Sequence, residues 1–234
     1  MRDRYGCIIR GDTTKKEIAL VFTADEFGEG AEFILTAFEN YGVNGSFFLT
    51  GRYYGDQANS VWLEWMKRDG HYLGAHSDQH LLYNDWTNRD SLLVTIEEFN
   101  ADLDMNYQKM AEIGVSKQEA LYFMPPYEWY NSIIREWTEN KGLKLINFTP
   151  GLRTAADYTY PEMGQNRYLT SEWIYNQLID YERSNVSGLN GFMILIHLGT
   201  DQRRPDKFYM LLPELIEYLR ERGYTFKRVD DLLQ

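Results

Sequence analysis

Short apolar runs and stretches of helical periodicity alternate from one end of this chain to the other. Apolar, β-branched or aromatic runs occupy 18–23, 46–50, 72–75, 121–124, 143–148, 192–197 and 224–229, each of strand length. Between them, roughly at 29–41, 58–69, 89–113, 129–141, 170–184 and 205–222, apolar residues recur three and four apart, the spacing of one helix face. Gly42, Gly70, Gly114, Gly142 and Gly223 follow five of these segments, where a residue of left-handed conformation commonly ends a helix. Strand–helix alternation predicts parallel βαβ units. Seven strands and six helices predict an α/β fold close to a (β/α) barrel, with an open doubly wound sheet as the competing topology.

Length and composition narrow the picture. The 234 residues suit one domain, 1–234, with no linker, repeat or low-complexity segment. One connection, 150–168, is long, and its aromatics and Arg153 mark it as an ordered, functional loop. A net charge of −11 argues against a nucleic-acid partner. No apolar stretch reaches membrane-spanning length, so no membrane association is expected, and Met1-Arg2-Asp3-Arg4 lacks the apolar core of a signal peptide behind it. Cys7 is the only cysteine, which excludes an intramolecular disulfide and, with no base beside it, argues against a thiol nucleophile.

Candidate chemistry gathers at strand ends. Asp25-Glu26, His76, Pro125-Pro126-Tyr127 and His197 all fall just beyond predicted strands, on the rim where parallel α/β folds bind ligands. His76 and His80, four apart, can share one face of a helical turn, and imidazoles so placed suit zinc. Ser77 stands where the metalloprotease signature would carry its glutamate, so a third ligand and a base must come from elsewhere, and Asp25-Glu26 is the obvious source. The same carboxylates would repel phosphate, and no Gly-rich fingerprint follows the first strand.

These residues, in this order, resemble the polysaccharide deacetylases, the family 4 carbohydrate esterases. The resemblance lies in Thr23-Ala24-Asp25-Glu26, His76-Ser77-Asp78-Gln79-His80, Met124-Pro125-Pro126-Tyr127 and Leu195-Ile196-His197. It implies a distorted (β/α)7 barrel and removal of acetyl groups from a polysaccharide or oligosaccharide, either as an acetyl-xylan esterase or as an N-acetylglucosamine-type deacetylase. It further implies Asp25 as general base, Glu26, His76 and His80 as ligands of a divalent metal, His197 as general acid and the Tyr127 N–H as an oxyanion donor. Zinc is the expected ion, with cobalt or nickel able to replace it. A secreted or periplasmic location is implied as well.

Two positions depart from the family pattern. Met124 stands where the family has an arginine that pairs with the base, leaving the charge of Asp25 without a partner in the motif; Arg153 is the candidate replacement. The family's fourth motif, an aspartate that orients the acid histidine, is not evident, and Asp157 is the only acidic candidate nearby. The missing arginine tilts the expected substrate towards the easier ester. Trp86, Pro126, Trp129 and Arg153 are the candidate substrate contacts, and Tyr83, Tyr130, Tyr158 and Tyr160 complete a set of rim aromatics able to stack on sugar rings. His71 reads as a surface strand residue. The alternatives are a carbohydrate-binding barrel that keeps the metal without catalysis, and an amidase acting on a small acyl compound.

Overall fold

A computed structural model describes all 234 residues. Seven parallel strands form the core: β1 (Glu17–Ala24), β2 (Ser46–Leu49), β3 (Tyr72–Ala75), β4 (Tyr122–Phe123), β5 (Lys144–Leu145), β6 (Met193–His197) and β7 (Thr225–Phe226). They are joined through α1 (Ala31–Tyr41), α2 (Gly51–Gly55), α3 (Ser60–Arg68), α4 (Ile96–Glu112), α5 (Ser132–Asn140), α6 (Ser171–Ser184) and α7 (Leu212–Glu221), and α8 (Val229–Leu232) ends the chain. The sheet order is β5-β4-β3-β2-β1-β6, with β7 paired to the start of β1.

The sheet curls into a distorted barrel rather than an open layer. Between β5 and β6 the seam is irregular. Ile8 of the N-terminal segment exchanges backbone hydrogen bonds with Leu145 and Asn147, and the Thr149 N–H donates to the Met193 carbonyl at 3.0 Å. Side chains sort by the two-residue period of a strand. Ala19, Val21, Phe48, Tyr72, Met124, Met193 and Leu195 form the inner layer together with Val229 and Leu232 of α8. Their alternates, among them Leu20, Phe22, Phe47, Leu49 and Ile194, pack outward against the helices. Both faces of the strands are therefore covered, which is why they read as continuous apolar runs.

The expected strands and the six long helices are all present, and the five helix-ending glycines all have positive φ. The short helix α2 lies outside the predicted set. His71 departs from its reading as well. It is 7% exposed, with its ring 5.5 Å from that of Phe38 and 5.3 Å from that of Phe47, and its Nδ1 accepts the Gly45 N–H at 3.0 Å. An imidazole so placed belongs to the outer core rather than the surface.

Candidate active site

Strand register assembles the site. Ala24, Leu49 and Ala75 are paired in one row, Ala75 pairs with Phe123, and Thr23 pairs with His197. The residues one step beyond that row are Asp25, Thr50, His76 and Met124. They share the inward parity of Val21, Phe48, Tyr72 and Tyr122, and His197 continues that of Leu195. Asp25, His76 and His197 thus converge on one mouth of the barrel, where a cleft of about 740 Å³ is also lined by Glu26, His80, Trp86, Tyr127, Glu128 and Tyr158.

The H-S-D-Q-H segment is not the helical turn its spacing allowed. It is a bend in which Ser77 and His80 take positive φ, 74° and 55°. The two rings still meet, with centroids 5.1 Å apart. Helix α4 holds the bend in place. The Asp102 carboxylate accepts the N–H groups of Asp78 and Gln79 at 3.2 and 2.9 Å, and Asn106 Oδ1 accepts that of His76 at 2.9 Å. Asp102 and Asn106 are buried, on the same helix face as Phe99, Leu103 and Met110. Polar residues on the apolar face of an amphipathic helix were the readable signal for this brace.

His76 is oriented for ligation. Its Nδ1–H donates to the Met124 carbonyl at 2.9 Å, and a carbonyl can only accept, so Nε2 is left with a free lone pair. Burial, with the neighbouring His80, pulls its pKa down to about 3; burial and Arg52 pull His80 to about 4. Both imidazoles are therefore neutral, as ligation requires. Glu26 is exposed at the lip of the cleft, and no three His, Cys, Asp or Glu side chains converge tightly enough to hold a metal ion. The histidine pair fits a divalent ion, while the third donor would have to swing inward.

Asp25 has a cationic partner, and it is not Arg153. Arg52, in α2, forks over the Asp25 carboxylate, with Nε on Oδ1 at 2.9 Å and Nη2 on Oδ2. The Thr50 hydroxyl donates to the same Oδ1 at 2.9 Å. Thr50 also caps α2, its hydroxyl accepting the Tyr53 N–H, and the Gly51 and Arg52 N–H groups donate to the carbonyls of Ser77 and Asp78. A Cβ on Gly51 would lie 1.8 Å from Asp78 Oδ1, so only glycine lets α2 sit this close to the histidine bend. Met124, at the family's arginine position, is fully buried in the apolar inner layer, where a guanidinium would lose its water. Arg153 is instead exposed on a neighbouring cavity.

Across the cleft, Asp157 supplies the orienting carboxylate. His197 Nδ1–H donates to its Oδ1 at 2.6 Å, and the His197 backbone N–H to its Oδ2 at 2.9 Å. Asp157 is fully buried in the turn Thr154–Tyr158 of the long connection. Burial opposes protonation of His197, but the charge and hydrogen bond of Asp157, with Glu128 behind them, outweigh it and raise the pKa above the usual imidazole value. Glu128 itself is pushed up to about 7 by burial. Tyr127 and Glu128 both take positive φ, 59° and 53°, a strain that clusters at functional sites. The Tyr127 ring lies 4.3 Å from that of His80.

The remaining candidates divide. Trp86, Tyr158 and Tyr160 line the cleft, and Trp129 lines the cavity beside it. Tyr83 and Tyr130 are buried, 1% and 2% exposed, with their hydroxyls bonded to Asp102 and Asp3, so neither presents a face to a sugar. Pro126 is buried in the turn that precedes Tyr127 and lines neither cavity, so it shapes the backbone rather than touching substrate.

Fold and site together define a distorted barrel that gathers a held carboxylate, a histidine pair and a carboxylate-bound histidine at one mouth. The model of the polysaccharide deacetylase family matches residues 10–146, and the chain belongs to that family. It is 23% identical over 231 residues to the peptidoglycan-N-acetylmuramic acid deacetylase PdaA of Bacillus subtilis (strain 168), covering 99% of this chain and 76% of that protein. Among solved structures it resembles a family 4 carbohydrate esterase from Bacillus anthracis, with a TM-score of 0.68, 25% identity and coverage of 98% and 87% of the two chains. It also shares its fold with BA3943, a pseudoenzyme of the same family from Bacillus anthracis, at a TM-score of 0.72, 18% identity and coverage of 97% and 68%.

Proposed function

We propose that this protein is a metal-dependent hydrolase that removes acetyl groups from a carbohydrate polymer or oligomer. The observation that carries the reading is the pair of opposed devices across one cleft, Asp25 held by Arg52 and His197 held by Asp157. A divalent ion held by His76, His80 and Glu26, zinc in the first instance, would acidify water and polarise the acetyl carbonyl. Asp25, its carboxylate fixed by Arg52 and Thr50, takes the proton as water attacks. The Tyr127 N–H, on its strained turn, donates to the oxygen that gains charge. His197, kept protonated by Asp157, gives its proton to the departing sugar oxygen or nitrogen.

Arg52 removes the reason for favouring an ester, so O-acetyl xylan and N-acetylglucosamine polymers stand level as substrates. The test is acetate release from both by protein loaded with zinc, cobalt or nickel. Release from at least one, abolished in Asp25→Ala with sugar binding retained, is expected; no release from either overturns the proposal. Glu26 alone favours the second reading, a sugar-binding barrel without catalysis, because it stands apart from the two histidines. That reading requires sugar binding that is indifferent to Asp25. A secreted or periplasmic location belongs to the same proposal, since polymeric substrates of this kind lie outside the cytoplasm.

A further inference from the structure

Beside the acetyl cleft lies a second cavity of about 520 Å³, and the two share Tyr127, Glu128, Tyr158 and Arg167 as a common wall. Three guanidiniums face it: Arg89, Arg153 and Arg167. Arg153 and Arg167 are the only two arginines of the chain whose side chains make neither an ion pair nor a hydrogen bond. Arg89 is set 3.9 Å above the Trp129 ring, its Nε on the Tyr130 carbonyl, with no carboxylate partner. In a chain of net charge −11, most arginines find an acid. These three do not, and they meet on one cavity.

The two carboxylates on the same walls form no ion pair with them. Asp3 is engaged by the Tyr130 hydroxyl and by the N–H groups of Tyr5 and Cys7. Glu128 has its pKa pushed up to about 7 by burial, which withdraws part of its charge at neutral pH. The aromatic walls, Trp129 and Tyr158, suit the apolar face of a sugar ring. Tyr158 also lies 5.5 Å, ring to ring, from His197, so the second cavity is close enough to the cleft for one oligosaccharide to span both.

We propose that Arg89, Arg153 and Arg167 form a subsite for a carboxylate carried by the acetylated glycan, so that the substrate is an acidic saccharide. This rests on the deacetylase reading above and specifies its substrate. Planar guanidinium forks match carboxylates in bidentate geometry. Two sources share that chemistry: the lactyl ether of a muramic acid unit, and the ring carboxylate of a uronic acid.

The test compares metal-loaded wild type with the double variant Arg153→Gln/Arg167→Gln on three probes: N-acetylglucosamine tetrasaccharide, a tetrasaccharide alternating N-acetylglucosamine with N-acetylmuramic acid, and an acetylated xylo-oligosaccharide bearing glucuronic acid. Both arginines are exposed and unpaired, so the variant should melt with the wild type. The expected result is a fall in kcat/KM of about 30-fold or more on one carboxylated probe, with the neutral probe within twofold; which probe responds identifies the source. Equal effects on all three probes, or on none, overturn the subsite. Should wild type release acetate from no probe, calorimetric binding decides: arginine-dependent binding of a carboxylated probe keeps the subsite while the deacetylase reading falls, and indifferent binding overturns the subsite.

Discussion

Arg52 grips Asp25 from the first turn after β2, through two nitrogens on two oxygens. The cation that the family's motif would place just after β4 is thus delivered from the end of β2, the strand beside β1 that carries Asp25, and the position after β4 is left to the apolar Met124. The Arg52 fork, holding both oxygens, fixes the orientation of the Asp25 carboxylate. Replacing Arg52 by Met should lower kcat for acetate release by about a hundredfold, because a base displaced by about 1 Å loses that much. Arg52→Lys should recover only part of the rate, since an ammonium cannot bridge both oxygens. Rates within twofold of wild type in Arg52→Met would show the pair to be irrelevant to the chemistry.

The Asp157–His197 pair sets an alkaline limit. Because the pKa of His197 is raised, its acid form persists to higher pH than a free imidazole would allow, and activity falls as pH rises through that value. In Asp157→Asn the opposing effect of burial is no longer countered. The alkaline limb of the kcat/KM profile should then move to lower pH, and the maximum should drop by about a hundredfold or more. A reduced rate with an unmoved limb would mean that Asp157 serves only to order the loop.

How far the sequence foretold this arrangement depended on what kind of constraint each part obeys. The strands are legible because both faces are covered, so burial writes an unbroken apolar run. Their lengths are not: β4, β5 and β7 each pair over two residues, inside longer apolar runs. Those runs go on into irregular contacts such as Ile146 against Ile8, which no period encodes. Asp25, His76 and His197 are legible as strand-end polar residues after apolar runs. Arg52 is not, because it sits in a five-residue helix with no amphipathic pattern. Asp157 is visible as a residue, but its meeting with His197, forty positions away, is a tertiary event. The spacing of His76 and His80 fits a helical turn and a bend equally well, and the positive φ at Ser77 and His80 decides for the bend.

His71 predicts a stability effect away from the site. It is buried, and burial lowers its pKa from 6.5 to about 4. The unfolded chain therefore binds a proton here between those values while the native state does not, so stability is complete above about pH 6.5 and is lost as pH falls towards 4. The shift corresponds to about 3 kcal/mol. Chemical denaturation of wild type and His71→Gln at a series of pH values should show a shallower acid decline in the variant. Parallel curves would remove His71 from the account.

In the proposed metal site, two donors are fixed and the third is mobile. His76 is locked by the Met124 carbonyl and by Asn106, with Nε2 left free, so His76→Ala should abolish binding of the roughly one divalent ion per chain that elemental analysis of wild type should find. Asn106→Ala releases the backbone of His76 and should weaken binding by about 10- to 100-fold, as loss of an outer-shell partner commonly does. Glu26 is exposed and must reorient to reach the ion, so Glu26→Gln should weaken binding less than His76→Ala and leave the competition between zinc, cobalt and nickel to the two imidazoles. Zinc titrations with a chromophoric competitor measure all three variants. Full occupancy in His76→Ala would refute the assignment of the histidine pair. An effect of Glu26→Gln as large as that of His76→Ala would show instead that the carboxylate is drawn fully into the site when the ion binds.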